Sequence, residues 1–227
     1  MGRTSVGISQ YRVIGISPTS VGSFACSFSQ RAKSTVPGNG DINTNWAKVT
    51  PALSAISTMA GALGEGKPLL VCGNGGSACD AMHLTGELVG RFLLERRPLN
   101  AICLTSNSAL VTAWANDYSY DTVFSRQTEA YGREGGVLLG ISTSGTSKNV
   151  VTAFQQARAM GMHTVALTGE GGGALAPLSD FLFAVPSRST PLIQQVHLCL
   201  YHYFCREIER QLAGSAREPR PTLQSAS

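Results

Sequence analysis

From about residue 44 the chain alternates between two hydrophobic rhythms. Short, nearly uninterrupted apolar runs occur at KPLLVCG (67–73), LNAICLT (99–105), VLLGIS (137–142), HTVALTG (163–169) and DFLFAVP (180–186). Runs this short and this apolar predict strands buried on both faces. The stretches around them carry apolar residues at three- and four-residue spacing, which predicts helices over 44–63, 76–94, 147–161 and 190–212, with one or two more across 106–133. Pro51 is expected to kink or restart the first of these. Strands alternating with helices imply an α/β fold with a parallel sheet covered on both faces. In such sheets ligands bind where strand carboxyl ends pass into helices.

The flanks of this region read differently. Residues 1–40 hold eight serines, four basic residues and no acid, without sustained periodicity. That composition suits an organelle transit peptide, a disordered extension or an upstream start codon, and the segment is set apart from the fold. The folded domain is expected over 41–213, followed by a frayed polar tail over 214–227. No internal repeat is visible.

Composition narrows the class. The content is 43% hydrophobic and 14% charged, which fits a globular protein. No stretch approaches the roughly 18 apolar residues needed for a membrane span, so a soluble protein is expected. The net charge is +4, but from Asp41 onward the 14 remaining basic residues meet all 14 acids. No basic stripe marks the folded part, so direct nucleic-acid binding is not expected. Six cysteines, none in a CxxC pair, are consistent with a reduced compartment.

Two loops occupy the favoured places: GNGGS (73–77) and STSGTS (142–147). The second offers the hydroxyls of Ser142, Thr143, Ser144 and Ser147 just before a helix. One hydroxyl suffices to cap a helix, so four with a glycine point to an anion, most simply a phosphate. GxxxxGK[ST] is absent, which favours a sugar phosphate over a nucleoside triphosphate. In CGNGGSACDAMHLTGEL (72–88), His83 and Glu87 fall four apart on one helix face. That pair suits a metal site, a general base oriented by its neighbour, or an ordinary solvent-facing ion pair. In IQQVHLCLYHYFCREIE (193–209) stand His197 and His202, which in an apolar helix are more often interior residues than ligands. Helical geometry alone pairs Gln195 with His202.

Together, GNGGSxCDAMH, Glu87, ANDYSYDTVFSRQTEAYGREGGVLLGISTSGTS and IQQVHxxxxH resemble the phosphoheptose isomerases of the sugar isomerase (SIS) family, over residues 45–212. The resemblance implies a Rossmann-like three-layer fold, a five-stranded parallel sheet between helices. It also implies a homotetramer with active sites between subunits. The implied activity converts sedoheptulose 7-phosphate to D-glycero-D-manno-heptose 7-phosphate, an ADP-heptose and lipopolysaccharide-core precursor, with no organic cofactor. By matching motifs Asn74, Gly75, Gly76, Asn116, Asp117, Glu87 and Gln194 would contact substrate, and Ser142, Thr143, Ser144 and Ser147 would hold its phosphate. Glu87 would be the base and His202 the acid. One zinc per subunit would sit on His83, Glu87, Gln194 and His202. The resemblance chooses Gln194 where helical geometry chose Gln195, and the motif is followed because the start of this segment need not be regular helix. Thr146 replaces a common Asn, and Pro191 and Gln195 stand where acids are frequent. A cytoplasmic location follows, or an organelle if residues 1–40 are a transit peptide.

Three other readings compete. A non-catalytic relative binds the replication initiator but lacks the acid–base residues, so His83, Glu87 and His202 together favour the enzyme. A sugar-phosphate sensor would need a DNA-binding segment, and none is visible. An isomerase for a shorter ketose phosphate stays open.

Overall fold

The computed structural model describes residues 12–15 and 46–213. In chain order the elements are β1 (Arg12–Gly15), α1 (Trp46–Gly64), β2 (Leu69–Gly73), α2 (Gly76–Val89), β3 (Ala101–Cys103), α3 (Ser108–Asp117), α4 (Val123–Tyr131), β4 (Val137–Ser142), α5 (Lys148–Ala159), β5 (His163–Thr168), β6 (Phe181–Ala184) and α6 (Thr190–Ala213). Short 3-10 turns cover Tyr120–Thr122 and Gly173–Leu178. The strands form one sheet in the order β1-β6-β5-β4-β2-β3, parallel throughout. Five of its strands are the predicted apolar runs, flanked by helices on both sides as the α/β reading requires.

Alternation within the strands divides the core in two. Leu69, Val71, Val137, Leu139, Ile141, Val165 and Leu167 face the α1, α2 and α6 layer, where Ile56, Met59, Leu84, Leu88, Tyr201 and Phe204 pack on them. Leu70, Cys72, Leu138, Ala166 and Leu182 face α4 and α5 through Phe124, Val150 and Phe154. Gly140 lets α5 come close, since a Cβ there would run into Phe154 and Val150.

Five expectations change. Residues 12–15 supply a sixth, edge strand from within the segment set apart from the fold; the rest of 1–40, and 214–227, lie outside the described residues. The helix expected over 76–94 stops at Val89, because the N–H groups of Phe92, Leu93 and Leu94 go to the Glu209 carboxylate and not back along the helix. The helix α1 runs through Pro51 without a break, and the strand expected over 99–105 keeps only three residues. Finally, α6 is regular helix from Thr190, so an irregular start is not what sets Gln194 apart from Gln195. Among the described residues no helix is long and apolar enough to cross a membrane.

Candidate active site

The strand order reverses direction at β2, which pairs with β3 on one side and β4 on the other. The loops leaving β2 and β4 therefore stand side by side, at the switch point where such sheets hold ligands. These are the GNGGS and STSGTS loops.

The second loop is drawn into a tight hydroxyl cluster. Ser142, 4% exposed at the end of β4, has its Oγ 2.8 Å from Ser147 Oγ and 3.5 Å from Ser144 Oγ. Ser144 Oγ also accepts from the Thr146 N–H at 3.2 Å and its Oγ1–H at 3.0 Å, so the unusual Thr146 closes the loop. Gly145 has φ 66°, and a Cβ there would strike the Gly172 carbonyl. The Thr143 carbonyl accepts the Gly169 N–H at 3.0 Å, which ties the loop to the end of β5. Ser147 sits at the N-cap of α5 without using its hydroxyl as a cap. The hydroxyls thus converge on each other at the positive end of a helix, the arrangement an anion needs.

An amide pair joins the two loops. Asn74 Nδ2 donates to Asn149 Oδ1, and Asn149 Nδ2 donates back to Asn74 Oδ1, both at 2.9 Å. Tyr120 OH also donates to Asn74 Oδ1 at 2.9 Å. Sequence reading missed Asn149 and Tyr120. The signal for Asn149 was present, since it is a polar residue on the stripe Val150, Ala153, Phe154 that α5 buries. Nothing marked Tyr120. The expected Asn116 and Asp117 are exposed at the end of α3 and bond each other at 2.9 Å.

The second group stands further along α2. Gly75 has φ 56° and starts the helix, and Gly76 carries the side-chain amide of Gln194 where a Cβ would be. Gln195 is exposed. Seven residues on, about 10 Å by helical rise, His83 Nε2 lies 3.1 Å from Glu87 Oε1. Its Nδ1 lies 2.9 Å from Tyr201 OH, which is 3.5 Å from Asp80 Oδ1. With Nε2–H donated to Glu87, Nδ1 is an acceptor, and the single Tyr201 proton is shared between His83 Nδ1 and Asp80 Oδ1. Desolvation raises the Asp80 carboxyl above its ordinary value, against the pull of Tyr201 and His83. The His202 ring meets His83 edge-on at 5.0 Å and stacks on Phe92 at 5.6 Å. Desolvation, and then the neighbouring His83, lower the His202 pKa against the opposing pull of Glu87, which favours the neutral ring.

The SIS domain family matches residues 45–169. The chain belongs to the SIS domain family. Its relatives there include the phosphoheptose isomerase of Akkermansia muciniphila, 50% identical over 152 residues, or 67% of this chain and 80% of that one. The phosphoheptose isomerase of Geotalea daltonii is 48% identical over 171 residues, 75% of this chain and 89% of the relative. Among solved structures, the phosphoheptose isomerase from Neisseria gonorrhoeae superposes with TM-score 0.67 at 38% identity, covering 85% of this chain and 98% of its own. That of Francisella tularensis gives TM-score 0.69 at 34% identity, covering 85% and 95%.

The donors expected for zinc are split within this SIS-family chain. His83 and Glu87 are as close as two ligands of one ion, and the nitrogen and oxygen donors suit zinc. Gln194, however, rests on Gly76, and among the described residues no three of His, Cys, Asp or Glu converge on one point. The four donors are therefore not gathered at one point, and no chemical step is routed through a metal.

Proposed function

We propose that this chain isomerises sedoheptulose 7-phosphate to D-glycero-D-manno-heptose 7-phosphate through an enediol. The observation that supports it most is the His83–Glu87–His202 group on α2 and α6, on the same helix whose start is tied to the serine loop. Phosphate held by Ser142, Ser144, Ser147 and the α5 start orients the open-chain ketose. Glu87, with one oxygen bonded to His83, takes a proton from C1. His202 gives a proton to O2 and takes one from O1. Glu87 then returns the proton to C2, completing the aldose.

Zinc and assembly are part of the same proposal. A zinc on His83, Glu87, Gln194 and His202 would supply Lewis-acid stabilisation of the oxyanion. Met82, Val89, Leu93, Leu192 and Leu198 are large apolar side chains left exposed on α2, α6 and the segment after α2, and contact with other copies of the chain would take them out of water. A homotetramer with sites completed between subunits, working in the cytoplasm, is the assembly that fits.

The test is incubation with sedoheptulose 7-phosphate, following aldose formation. Glu87→Gln and His202→Ala should each lower kcat by about 10²–10⁴-fold. Turnover untouched by both would sink the mechanism. Metal analysis after chelator-free purification should find zinc, with less in His83→Ala.

A further inference from the structure

At the far end of α6 lies a buried charged node that the chemistry above does not use. Glu209 is 1% exposed as a side chain and Arg96 2%, and Arg96 Nε lies 3.3 Å from Glu209 Oε1. The carboxylate gathers three successive backbone donors: Phe92 N–H at 3.0 Å, Leu93 at 2.7 Å and Leu94 at 2.8 Å. The guanidinium reaches the end of α2, with Nη2 donating to the Glu87 carbonyl at 2.8 Å and Nη1 to the Gly90 carbonyl at 2.9 Å. Those carbonyls have no partner further along the helix, so Arg96 closes it.

Both arms of the node end on the acid–base group. Phe92 stacks on His202, and Glu87 itself is the residue whose carbonyl Arg96 holds. Apart from Phe92, which packs on the core, little apolar burial holds the segment in place, because Leu93 and Leu94 are 58% and 43% exposed. Burying two charges is costly, and an apolar pair would secure a helix end as well. What an apolar pair cannot do is gather three N–H groups and so place Phe92.

We propose that Glu209, together with Arg96, is a positioning residue for the Glu87–His202 pair. Through Phe92 it sets the ring plane of His202, and through Arg96 the end of α2 that carries Glu87. The inference rests on the isomerase reading above.

Full-length Glu209→Gln, Phe92→Leu and Phe92→Tyr decide it by two readouts. These are steady-state kinetics on sedoheptulose 7-phosphate and the His202 imidazole resonance in 13C-histidine protein, assigned with His202→Gln. Glu209→Gln and Phe92→Leu should lower kcat about 10–100-fold while KM stays within about two-fold. Phe92→Leu should shift the His202 resonance by removing the ring above it, and Glu209→Gln by releasing the backbone that holds that ring in place. Phe92→Tyr, which keeps the ring, should leave both readouts at the wild-type values. Phe92→Leu leaves every hydrogen bond of the node intact, so it tests placement apart from folding. Unchanged kcat in Phe92→Leu overturns the proposal, as does an unmoved His202 resonance in Glu209→Gln. A wild-type chain with no turnover sinks the isomerase reading alone, and the resonance then decides the placement by itself.

Discussion

Two histidines on α6 meet opposite fates. His197 is fully buried, with Nε2 3.1 Å from the Thr168 carbonyl and Nδ1 without a partner. Desolvation pushes its pKa down to about 4, which the Thr168 hydrogen bond only partly opposes. An unfolded histidine titrates near 6.5, so as pH falls the unfolded chain takes up this proton first. The stability linked to His197 is therefore complete above about pH 6.5 and is lost as pH falls towards 4, by at most on the order of 3 kcal/mol. Urea midpoints measured from pH 7.5 to 4.5 should fall less steeply in His197→Gln than in the wild type. His202, five residues on, is half-buried beside His83 and stacks on Phe92, at the acid–base group. Spacing alone offered both as interior residues; only the neighbours on α2 and Phe92 separate them.

At the scale of elements, the serine loop depends on one backbone conformation. Gly145 has positive φ and sits against the Gly172 carbonyl, while its own carbonyl accepts the Leu175 N–H at 3.0 Å. Gly145→Ala meets both a left-handed backbone and a backbone clash, which together cost about 1–3 kcal/mol. The substitution should raise KM for the phosphorylated ketose at least about ten-fold, and inorganic phosphate should protect it less against thermal unfolding. Most elements were legible because strand and helix periods differ strongly here, as in VLLGIS against SKNVVTAFQQARAMG. The end of α2 was not. Its apolar pattern continues through Phe92, Leu93 and Leu94, and the carboxylate that stops it comes from residue 209.

For the whole molecule, the exposed apolar side chains on α2 and α6 carry the prediction. Wild-type chain should sediment at about four times the chain mass. Leu198→Glu, 38% exposed in the isolated chain, should shift it to smaller species and lower turnover with them. Unchanged assembly and activity would remove those side chains from the interface.

The amino-acid order determined the local facts: which runs are strands, which loops follow them, and that hydroxyls, His83 and Glu87 lie at helix-compatible spacing. Those follow from period, turn residues and charge over a few positions. The tertiary structure decided adjacency. That β2 lies between β3 and β4 brings GNGGS beside STSGTS, and Asn74 to Asn149, across 75 residues. That α6 packs along α2 brings Tyr201 and His202 to His83, and Gln194 to Gly76. Such contacts depend on how buried faces fit in three dimensions, and no local pattern in the chain encodes them.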